Sequence, residues 1–491
     1  MGGISANKPI IHLITGPMMP GSFLGVRVGA CTDCRSNWAK FRAGTIDIED
    51  ISALNNELAP TVGCFISIIL FVKPFVSPQP LIRTQAGTCG VMGTASTMAC
   101  LLVALGMMPI LGATAPAVSS ARLRVAELTG TYAVRLAKQR LNPQTVLTRE
   151  SFLNAITVLQ AIGGSTNAMV HLMAIINRHP TLAGTINPAA IDSIGSRTPL
   201  LIDLKPSGEN YMTDFHNAGG MAALLYELKP LLHLDALTVT GRTLGEELAQ
   251  TPFRPLPPGS AAGCVRTLAN PLYSSSALVV FQRGNLAPGG AAVIKASASK
   301  DRRLLKHRGK AVVFEGSADL AARIDDPELA VDRDSVLVLR GIGPVGNPGM
   351  PEAGLIPIPR KLAAQGVLDM LRISDGRMSG TAGGTIVLHV SPEGADPTSV
   401  LGVLRDGDVV VCDVEKRLLS VELDEVEIQQ RIKQRGQEMQ QAREAPWVSR
   451  GSVRGYRGLY LREVNQAEYG ADFRFLTAAG PEGRETELEI I

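Results

Sequence analysis

The stretch TIVLHVSPEGADPTSVLGVLRDGDVVVCDV, residues 385–414, carries a short run rich in β-branched residues at each end. Glycine, proline and aspartate bound both runs, which is typical of strands rather than helices. Two more runs of this kind, AVVFEG (311–316) and SVLVLRG (335–341), precede it. We therefore predict that the second half of the chain is a β-rich domain with a barrel-like or closed-sandwich sheet.

The first half of the chain has the pattern of helices separated by glycine-rich loops. Residues 92–108 are apolar and rich in helix formers, and residues 119–141 place apolar side chains among arginines, as in an amphipathic helix. Thr148 is the predicted N-cap of a helix that stops at 163–164. A further helix is predicted from Ser165/Thr166 to Asn177. We therefore expect an α/β domain here.

A Pro/Gly-rich stretch, TPFRPLPPGSAAG (251–263), marks the predicted domain boundary. We expect an α/β N-terminal domain over 1–255 and a β-barrel-like C-terminal domain over 265–423. Residues 424–491 are expected to form a charged, glutamine-rich helix to about Arg443, followed by a tail that packs back on the body.

The composition is that of a chain able to bury a large core. Its 491 residues are 45% hydrophobic and 19% charged, which excludes a disordered chain. The net charge is +3, from 48 Lys and Arg against 45 Asp and Glu, and this near balance argues against nucleic acid as a partner. The most apolar run, residues 65–72, is far shorter than the roughly 20 residues of a membrane span. We therefore expect no membrane partner.

Cysteine usage and the first residues suggest a compartment. Seven scattered cysteines, an odd number, argue against a disulfide framework and for a reducing environment. The first residues, MGGISANKPIIHL, contain no basic segment followed by a long apolar one, so we expect no secretory signal. We predict a cytoplasmic location, with the mitochondrion as the alternative.

Two cysteine segments are candidates for metal or redox chemistry. Cys89 lies in AGTCGVMGTASTM (86–98), before a predicted helix whose positive end would lower the pKa of the thiol. The alternative is a small buried residue. Cys31 and Cys34 form a CxxC pair, which could be half of a zinc site or a redox pair. Because no second pair follows at metal-site spacing, we favour a structural loop.

Two glycine-rich loops of the second half contain candidate polar groups. GIGPVGNPGMPE (341–352) ends in Glu352, a suitable Mg²⁺ ligand, with a solvated loop glutamate as the alternative. RISDGRMSGTAGG (372–384) contains Ser379, which could act as a nucleophile or base only beside a metal or cation. An ordinary Ser-Gly turn is the alternative.

The segment AIGGSTNAMVHL (161–172) places two hydroxyls and an amide at a predicted helix start. Ser165, Thr166 and Asn167, together with exposed N–H groups, would suit a carboxylate or phosphate. Ordinary N-capping explains the same residues equally well.

Seven segments, taken in order, resemble those of one enzyme family. They are TCGVMGTASTM (88–98), AIGGSTNAMVHL (161–172), TVTGRTLGE (238–246), GNLAPGGAAVIKASA (284–298), GPVGNPGMPE (343–352), RISDGRMSGT (372–381) and GDVVVCDVEKR (407–417). From about Ile11 onward the chain resembles the dihydroxy-acid dehydratase/6-phosphogluconate dehydratase family. Ile342 and IPIPRKL (356–362) are more similar to the sugar-acid branch than to the branched-chain amino-acid branch.

The resemblance implies a hydro-lyase that converts a 2,3-dihydroxy sugar acid to a 2-keto-3-deoxy acid. It implies a [2Fe-2S] cluster that acts as Lewis acid, a Mg²⁺ ion and a homodimer. Cys89 matches the last of three cluster cysteines, Glu352 a magnesium ligand, and Ser379 the base that removes the C2 proton. The candidate substrate-binding residues are Ser165, Thr166, Asn167 and Thr381.

The chain departs from the family pattern in two places. The family's first two cluster cysteines and an Asp-Lys metal-binding pair precede the block that resembles ISANKPIIHLITGPMM (4–19), so we expect the sequence to be truncated there. Cys31 and Cys34 follow that block and do not match the missing ligands. Residues 64–87 separate ELAPTVG (57–63) from the Cys89 motif, and we interpret them as a translated intron.

Two other functions stay open. Dihydroxy-acid dehydratase of branched-chain amino-acid synthesis has the same chemistry on a different small-molecule acid. A chain that lacks most metal ligands would instead hold no cluster, and would be a catalytically inactive remnant that keeps the fold.

Overall fold

The first half of the chain is mainly helical. The computed structural model describes residues 1–58, 86–251, 261–290, 292–441 and 454–478. The helices up to residue 250 are α1 (Gly2–Ala6), α2 (Thr32–Arg42), α3 (Ile48–Asn56), α4 (Thr94–Ala104), α5 (Ser120–Gln139), α6 (Pro143–Val146), α7 (Arg149–Ala161), α8 (Asn167–Arg178), α9 (Pro188–Gly195), α10 (Met212–Asn217), α11 (Gly220–Leu228) and α12 (Leu244–Gln250). The predicted insert and boundary stretch lie largely outside the described residues, so both stay predictions.

Helix boundaries follow the capping residues. Thr148 and Ser151 form a capping box at the start of α7, where each side chain accepts a hydrogen bond from the other's backbone N–H. Ser119 caps α5 through the N–H of Arg122. Caps of this kind contribute about 1 kcal/mol each. The predicted helix at 92–108 is shorter than expected, and Gly106, with φ of 73°, lies just beyond its end.

The second half contains an eight-stranded mixed sheet. After the hairpin β1 (Gly21–Phe23) and β2 (Val26–Val28), the strands are β3 (Val279–Val280), β4 (Val293–Ile294), β5 (Lys306–Glu315), β6 (Val336–Arg340), β7 (Arg372–Ser374), β8 (Ile386–Leu388), β9 (Val409–Asp413) and β10 (Leu418–Val421). Their order is β10-β9-β5-β6-β7-β8-β4-β3. The pairs β5–β6, β6–β7 and β7–β8 are parallel. The predicted β-rich second half is confirmed.

The sheet curls strongly. Leu418 on the edge strand β10 pairs with Arg283, just beyond the other edge strand β3. The later helices are α13 (Gly316–Arg323), α14 (Arg360–Ala363), α15 (Glu425–Gln441) and α16 (Gly455–Glu463). None of the helices within the described ranges combines the length and apolarity needed to cross a bilayer.

Alternate residues of the central strands face opposite apolar layers. On β5, Ala311 and Val313 belong to one buried cluster, whereas Val312 and Phe314 belong to another. Because both faces are covered, these strands are continuous apolar runs, as is usual in parallel sheets. The largest cluster, under the first-half helices, also includes Leu278 beside β3. The helices and the sheet therefore share a core, and the predicted division into separate domains stays a prediction.

Residues 454–478 include contacts with the C-terminal end of α8. Arg178 at the end of α8 forms an ion pair with Asp472. Asn177 donates a hydrogen bond to the Tyr469 carbonyl (3.1 Å), and its own carbonyl accepts one from the Ala478 N–H (2.8 Å). These contacts fix the C-terminal segment against α8.

The parallel strands end at one edge, and two buried carboxylates hold the loops there. Asp375, after β7, accepts hydrogen bonds from the N–H groups of Gly341 (2.8 Å) and Ile342 (3.1 Å). Glu393 accepts from those of Val345 (2.8 Å) and Gly346 (2.6 Å). The two glycine-rich loops identified in the sequence, 341–352 and 375–384, therefore lie side by side at this edge.

A buried ion pair lies where β7 and β8 begin, and a variant that breaks it tests how much the pair stabilises the sheet. Asp369 accepts hydrogen bonds from three backbone N–H groups, the Thr385 hydroxyl (2.8 Å) and the Arg372 guanidinium (2.7 Å). We expect Asp369→Ala to lower the free energy of unfolding by about 3–5 kcal/mol, because it leaves the Arg372 charge buried without its partner. Urea denaturation measures the loss. The exposed Asp334→Ala is the control, and an equally small effect of both would contradict this prediction.

Candidate active site

Asn167 connects three of the segments singled out in the sequence. Its amide nitrogen lies 3.1 Å from Glu352 Oε1, 3.0 Å from the Met378 carbonyl and 3.0 Å from Thr94 Oγ1. The residue is fully buried at the first position of α8. The fold therefore places Glu352 and the Ser379 loop at the start of α8, although some 185 residues separate them from it.

The same amide carries an oxygen with no hydrogen-bond partner. Asn167 Oδ1 is buried and unpaired, whereas Glu352 beside it is exposed. Carboxylate and amide oxygens are the ligands that Mg²⁺ prefers. Within the described residues, however, no group of three or more His, Cys, Asp or Glu side chains could hold a metal ion.

Ser165 lies beneath the Ser379 loop. It is fully buried, and its hydroxyl contacts Thr94 Oγ1 (2.8 Å) and accepts from the Asn167 N–H (3.2 Å). A Cβ added at Gly380 would lie 2.6 Å from that hydroxyl, so only glycine fits there. Thr166 precedes α8 without a side-chain cap bond. Ser165 supports the loop, and the predicted contact of Ser165 and Thr166 with substrate stays a prediction.

Ser379 and Thr381 form a hydroxyl pair at the tip of the loop. Their oxygens are 2.9 Å apart. Thr381 is buried while Ser379 is half-buried. The Thr381 carbonyl accepts a hydrogen bond from Thr32 Oγ1 (2.8 Å) at the start of α2. The N-terminal segment is therefore part of the site.

The structure corrects the interpretation of the CxxC segment as a loop. Cys31 is the N-cap residue of α2, and Cys34 lies in its first turn. The thiols of Cys31 and Cys89 interact with each other. That interaction, helped by Arg35, lowers the pKa of Cys31 to about 7, whereas the same interaction and partial burial raise the pKa of Cys89. The expected lowering of the Cys89 pKa by a helix end is thus wrong, and Cys31 is the thiol of the pair with the lower pKa.

Lys295 lies behind the Ser379 loop. Its side chain is buried, and Nζ donates a hydrogen bond to the Gly380 carbonyl (3.3 Å). Burial lowers the pKa of this ammonium to about 7. The charge state of a group directly beneath the candidate base therefore changes near neutral pH.

This pKa makes stability depend on pH. The unfolded chain keeps the Lys295 proton up to about its ordinary pKa of 10.5, whereas the folded chain releases it near 7, so stability rises with pH between these values. We expect Lys295→Met to stabilise the protein most below pH 7, by about 4 kcal/mol at most, and progressively less toward pH 10. Urea denaturation of both proteins at several pH values measures the difference. A difference that does not vary with pH would contradict the assignment.

Three residues of this site were missed in the sequence. Thr94 and Lys295 lie inside motifs that were recognised, but nothing in a sequence marks which motif positions point into a site. Cys31 was noticed in the CxxC pair and set aside because its spacing matched no metal site.

Both halves of the chain match models of one protein family. Residues 80–247 match the family model described as dihydroxy-acid/6-phosphogluconate dehydratase N-terminal. Residues 263–471 match the corresponding C-terminal model. Together the two matches include every site residue described above except those between 31 and 35.

Relatives of this chain are named as dehydratases of different acids. A 6-deoxy-6-sulfo-D-gluconate dehydratase of Pseudomonas putida is 37% identical over 97% of this chain and 75% of that protein. An L-arabinonate dehydratase of Rhizobium leguminosarum bv. trifolii is 37% identical over 97% of this chain and 74% of its own length. A dihydroxy-acid dehydratase of Caldicellulosiruptor bescii is 36% identical over 87% and 70%, respectively. The chain therefore belongs to the dihydroxy-acid/6-phosphogluconate dehydratase family, whose members are hydro-lyases.

Proposed function

We propose that this protein dehydrates a 2,3-dihydroxy sugar acid to a 2-keto-3-deoxy acid, with Ser379 as the base. The observation that carries the proposal is the convergence of Glu352, Asn167, the Ser379–Thr381 pair and two thiols at one edge of the sheet. The sugar-acid substrate is supported by two relatives named for sugar acids and by Ile342, where the amino-acid branch carries glutamate.

Some donors for the two metal groups that the family resemblance implies lie at this edge, although the described residues hold no complete set of three or more His, Cys, Asp or Glu side chains there. Glu352 and the unpaired Asn167 Oδ1 are hard oxygen donors for Mg²⁺, whereas the thiols of Cys31 and Cys89 are soft donors for iron. When bound, these groups supply Lewis-acid polarisation of the leaving hydroxyl and stabilise negative charge on the substrate.

The protein's own residues then have separate tasks. The ionised Ser379 oxygen accepts the proton from C2 of the substrate while the C3–O bond breaks, and the departing hydroxide takes up that proton from Ser379 to leave as water, which returns Ser379 to its ionised form. The Thr381 hydroxyl, 2.9 Å away, donates a hydrogen bond to that oxygen and so stabilises its ionised form. The enol left behind takes up a proton at C3 and releases the proton of its C2 hydroxyl to solvent, which gives the 2-keto acid. Asn167 holds the Glu352 carboxylate in place through the 3.1 Å hydrogen bond.

A substrate comparison under anaerobic conditions tests this function. We expect the purified chain, supplied with iron, sulfide and Mg²⁺, to form 2-keto acids from pentonates or hexonates. The kcat/KM should exceed that for 2,3-dihydroxyisovalerate by about tenfold or more. The reverse preference would favour dihydroxy-acid dehydratase. A folded chain that dehydrates neither acid would support the inactive remnant. The homodimer implied by the resemblance is tested on the same sample by light scattering.

A further inference from the structure

We propose that Lys295 is a positioning residue for the dehydration, whose ammonium holds the Ser379 loop and stabilises the ionised form of Ser379. A serine hydroxyl acts as a base near neutral pH only with a metal ion or another cation close by. The fold places a buried cation directly beneath the residue that follows Ser379, because Lys295 Nζ donates a hydrogen bond to the Gly380 carbonyl (3.3 Å). The inference rests on the proposed function, since it assigns a further residue to the same step.

The segment that carries Lys295 is bound to the Ser379 loop at two points. Besides the bond from Lys295 to Gly380, the Gly384 N–H donates a hydrogen bond to the Ala298 carbonyl (2.8 Å). Lys295 directly follows β4, which pairs with β8, the strand that begins just after the loop. The ammonium and the loop are therefore held in a fixed arrangement, as electrostatic stabilisation of an anion requires.

The charge of Lys295 is not balanced by a carboxylate among the residues that the structure describes. Burial is the sole cause of its lowered pKa, so neither an acidic group nor another cation contributes. The partly buried Lys205 shows the usual arrangement, because its Nζ forms an ion pair with Asp33 (2.6 Å). A buried cation without a counter-charge is costly for the resting protein, and such costly groups persist chiefly at functional sites.

Other charged groups near the loop do not replace this cation. The guanidinium of Arg372 lies behind Gly384, but it is paired with Asp369 (2.7 Å). Lys300 approaches the loop at Gly383 only through its side-chain carbon.

Ionisation of Ser379 would supply the missing counter-charge. A nearby anion favours the charged form of a lysine, and the lysine in turn favours the anion. Lys295 therefore keeps its proton when the Ser379 hydroxyl loses its own, although burial alone lowers the pKa of this lysine to about 7.

Two substitutions separate the charge from the hydrogen bond. Lys295→Gln keeps a donor for the Gly380 carbonyl but carries no charge, whereas Lys295→Met removes both. Because Lys295→Met is expected to be more stable than the wild type, a loss of activity in it would not reflect unfolding. Lys361→Met is the matched control, since Lys361 also donates to backbone carbonyls, those of Pro327 (2.8 Å) and Leu329 (2.6 Å), in another part of the fold.

The pH dependence of kcat gives the first readout. At pH 7 we expect Lys295→Met and Lys295→Gln each to lower kcat by about a hundredfold, as a rise of about two units in the pKa of Ser379 would. The loss should narrow to below about tenfold by pH 10, because the wild type then releases the Lys295 proton while more Ser379 ionises unaided. A residue that only shaped the loop would give the same loss at every pH.

Covalent labelling of Ser379 gives a second readout that needs no turnover. Phenylmethanesulfonyl fluoride reacts with an ionised serine oxygen, which forms a sulfonate ester and releases fluoride. Mass spectrometry of the full chain measures the rate of labelling at Ser379 at pH 7. We expect Lys295→Met and Lys295→Gln to be labelled at least about tenfold more slowly than the wild type, and Lys361→Met at the wild-type rate.

The outcomes separate the role of Lys295 from the function of the protein. Labelling of both Lys295 variants at the wild-type rate, or a loss of kcat that does not vary with pH, would overturn the proposal while leaving the dehydratase function intact. Wild-type behaviour of Lys295→Gln would also overturn it, because the hydrogen bond alone would then suffice, and so would a wild-type chain in which Ser379 is not labelled. Slower labelling of the variants, without dehydration of any acid by the wild type, would support the proposal and count against the proposed function alone.

Discussion

Ser379→Ala is expected to lower kcat for sugar-acid dehydration by about 10³-fold, with little change in substrate affinity. The oxygen of Ser379 is the group placed to take the C2 proton, and alanine offers no acceptor there. The structure favours Ser379 over neighbouring hydroxyls because it is half-buried, whereas Thr381 and Ser165 are buried. The effect should fall on chemistry rather than on binding, since no substrate contact other than this proton is lost.

Substrate deuterated at C2 shows whether the lost step is proton removal. Wild-type enzyme that exchanges the C2 hydrogen with solvent, and Ser379→Ala that does not, would agree with the assignment. Thr381→Val is the matched variant, because it keeps the shape of the loop and removes the hydroxyl that contacts Ser379 and that also interacts with the Cys31 thiol. We expect it to lose about tenfold in kcat. A Ser379→Ala enzyme that keeps more than a tenth of wild-type kcat would remove Ser379 from the mechanism.

Local patterns predicted the elements of this fold well. The capping box of Thr148 and the apolar run of β6 depend only on residues that are neighbours in the sequence, and both were found where expected. Strands β3 and β4 have only two residues each, so they are too short to show the alternating apolar pattern by which a strand is recognised in a sequence. The curl of the sheet was expected only in outline, because it depends on pairing between Arg283 and Leu418, far apart in the chain.

The residues of the site likewise fall into two groups: those that a local sequence pattern indicates, and those that only the folded structure brings together. Glu352 and Ser379 stand out in the sequence because glycine-rich loops surround them, and Asn167 because it begins a helix. Cys31 does not, since its contact with Cys89 follows from tertiary packing and from a backbone angle that no sequence pattern announces. The lowered pKa of Lys295 could not be predicted because it results from burial in the fold, and the same residue at the surface would have an ordinary pKa.

Glu352→Gln is expected to raise the Mg²⁺ concentration needed for half-maximal activity by about a hundredfold, and to lower kcat at limiting Mg²⁺ in proportion. Glutamine keeps the size of the side chain, and its carbonyl still accepts the hydrogen bond from Asn167. The variant therefore removes one negative charge and one good cation ligand without disturbing the loop. Activity as a function of Mg²⁺ measures the change, and the shift of the unfolding temperature with Mg²⁺ provides a second readout that needs no turnover.

Two controls locate this effect at the metal. Glu328→Gln removes an exposed carboxylate from another loop and should leave the Mg²⁺ dependence unchanged. The iron content of Glu352→Gln is measured on the same sample, so that a change in Mg²⁺ binding is distinguished from a change at the thiols of Cys31 and Cys89, which interact electrostatically with Glu352. If Glu352→Gln shows the wild-type Mg²⁺ dependence in both activity and thermal stabilisation, the carboxylate is not a magnesium ligand, and its bond to Asn167 serves only to position the loop.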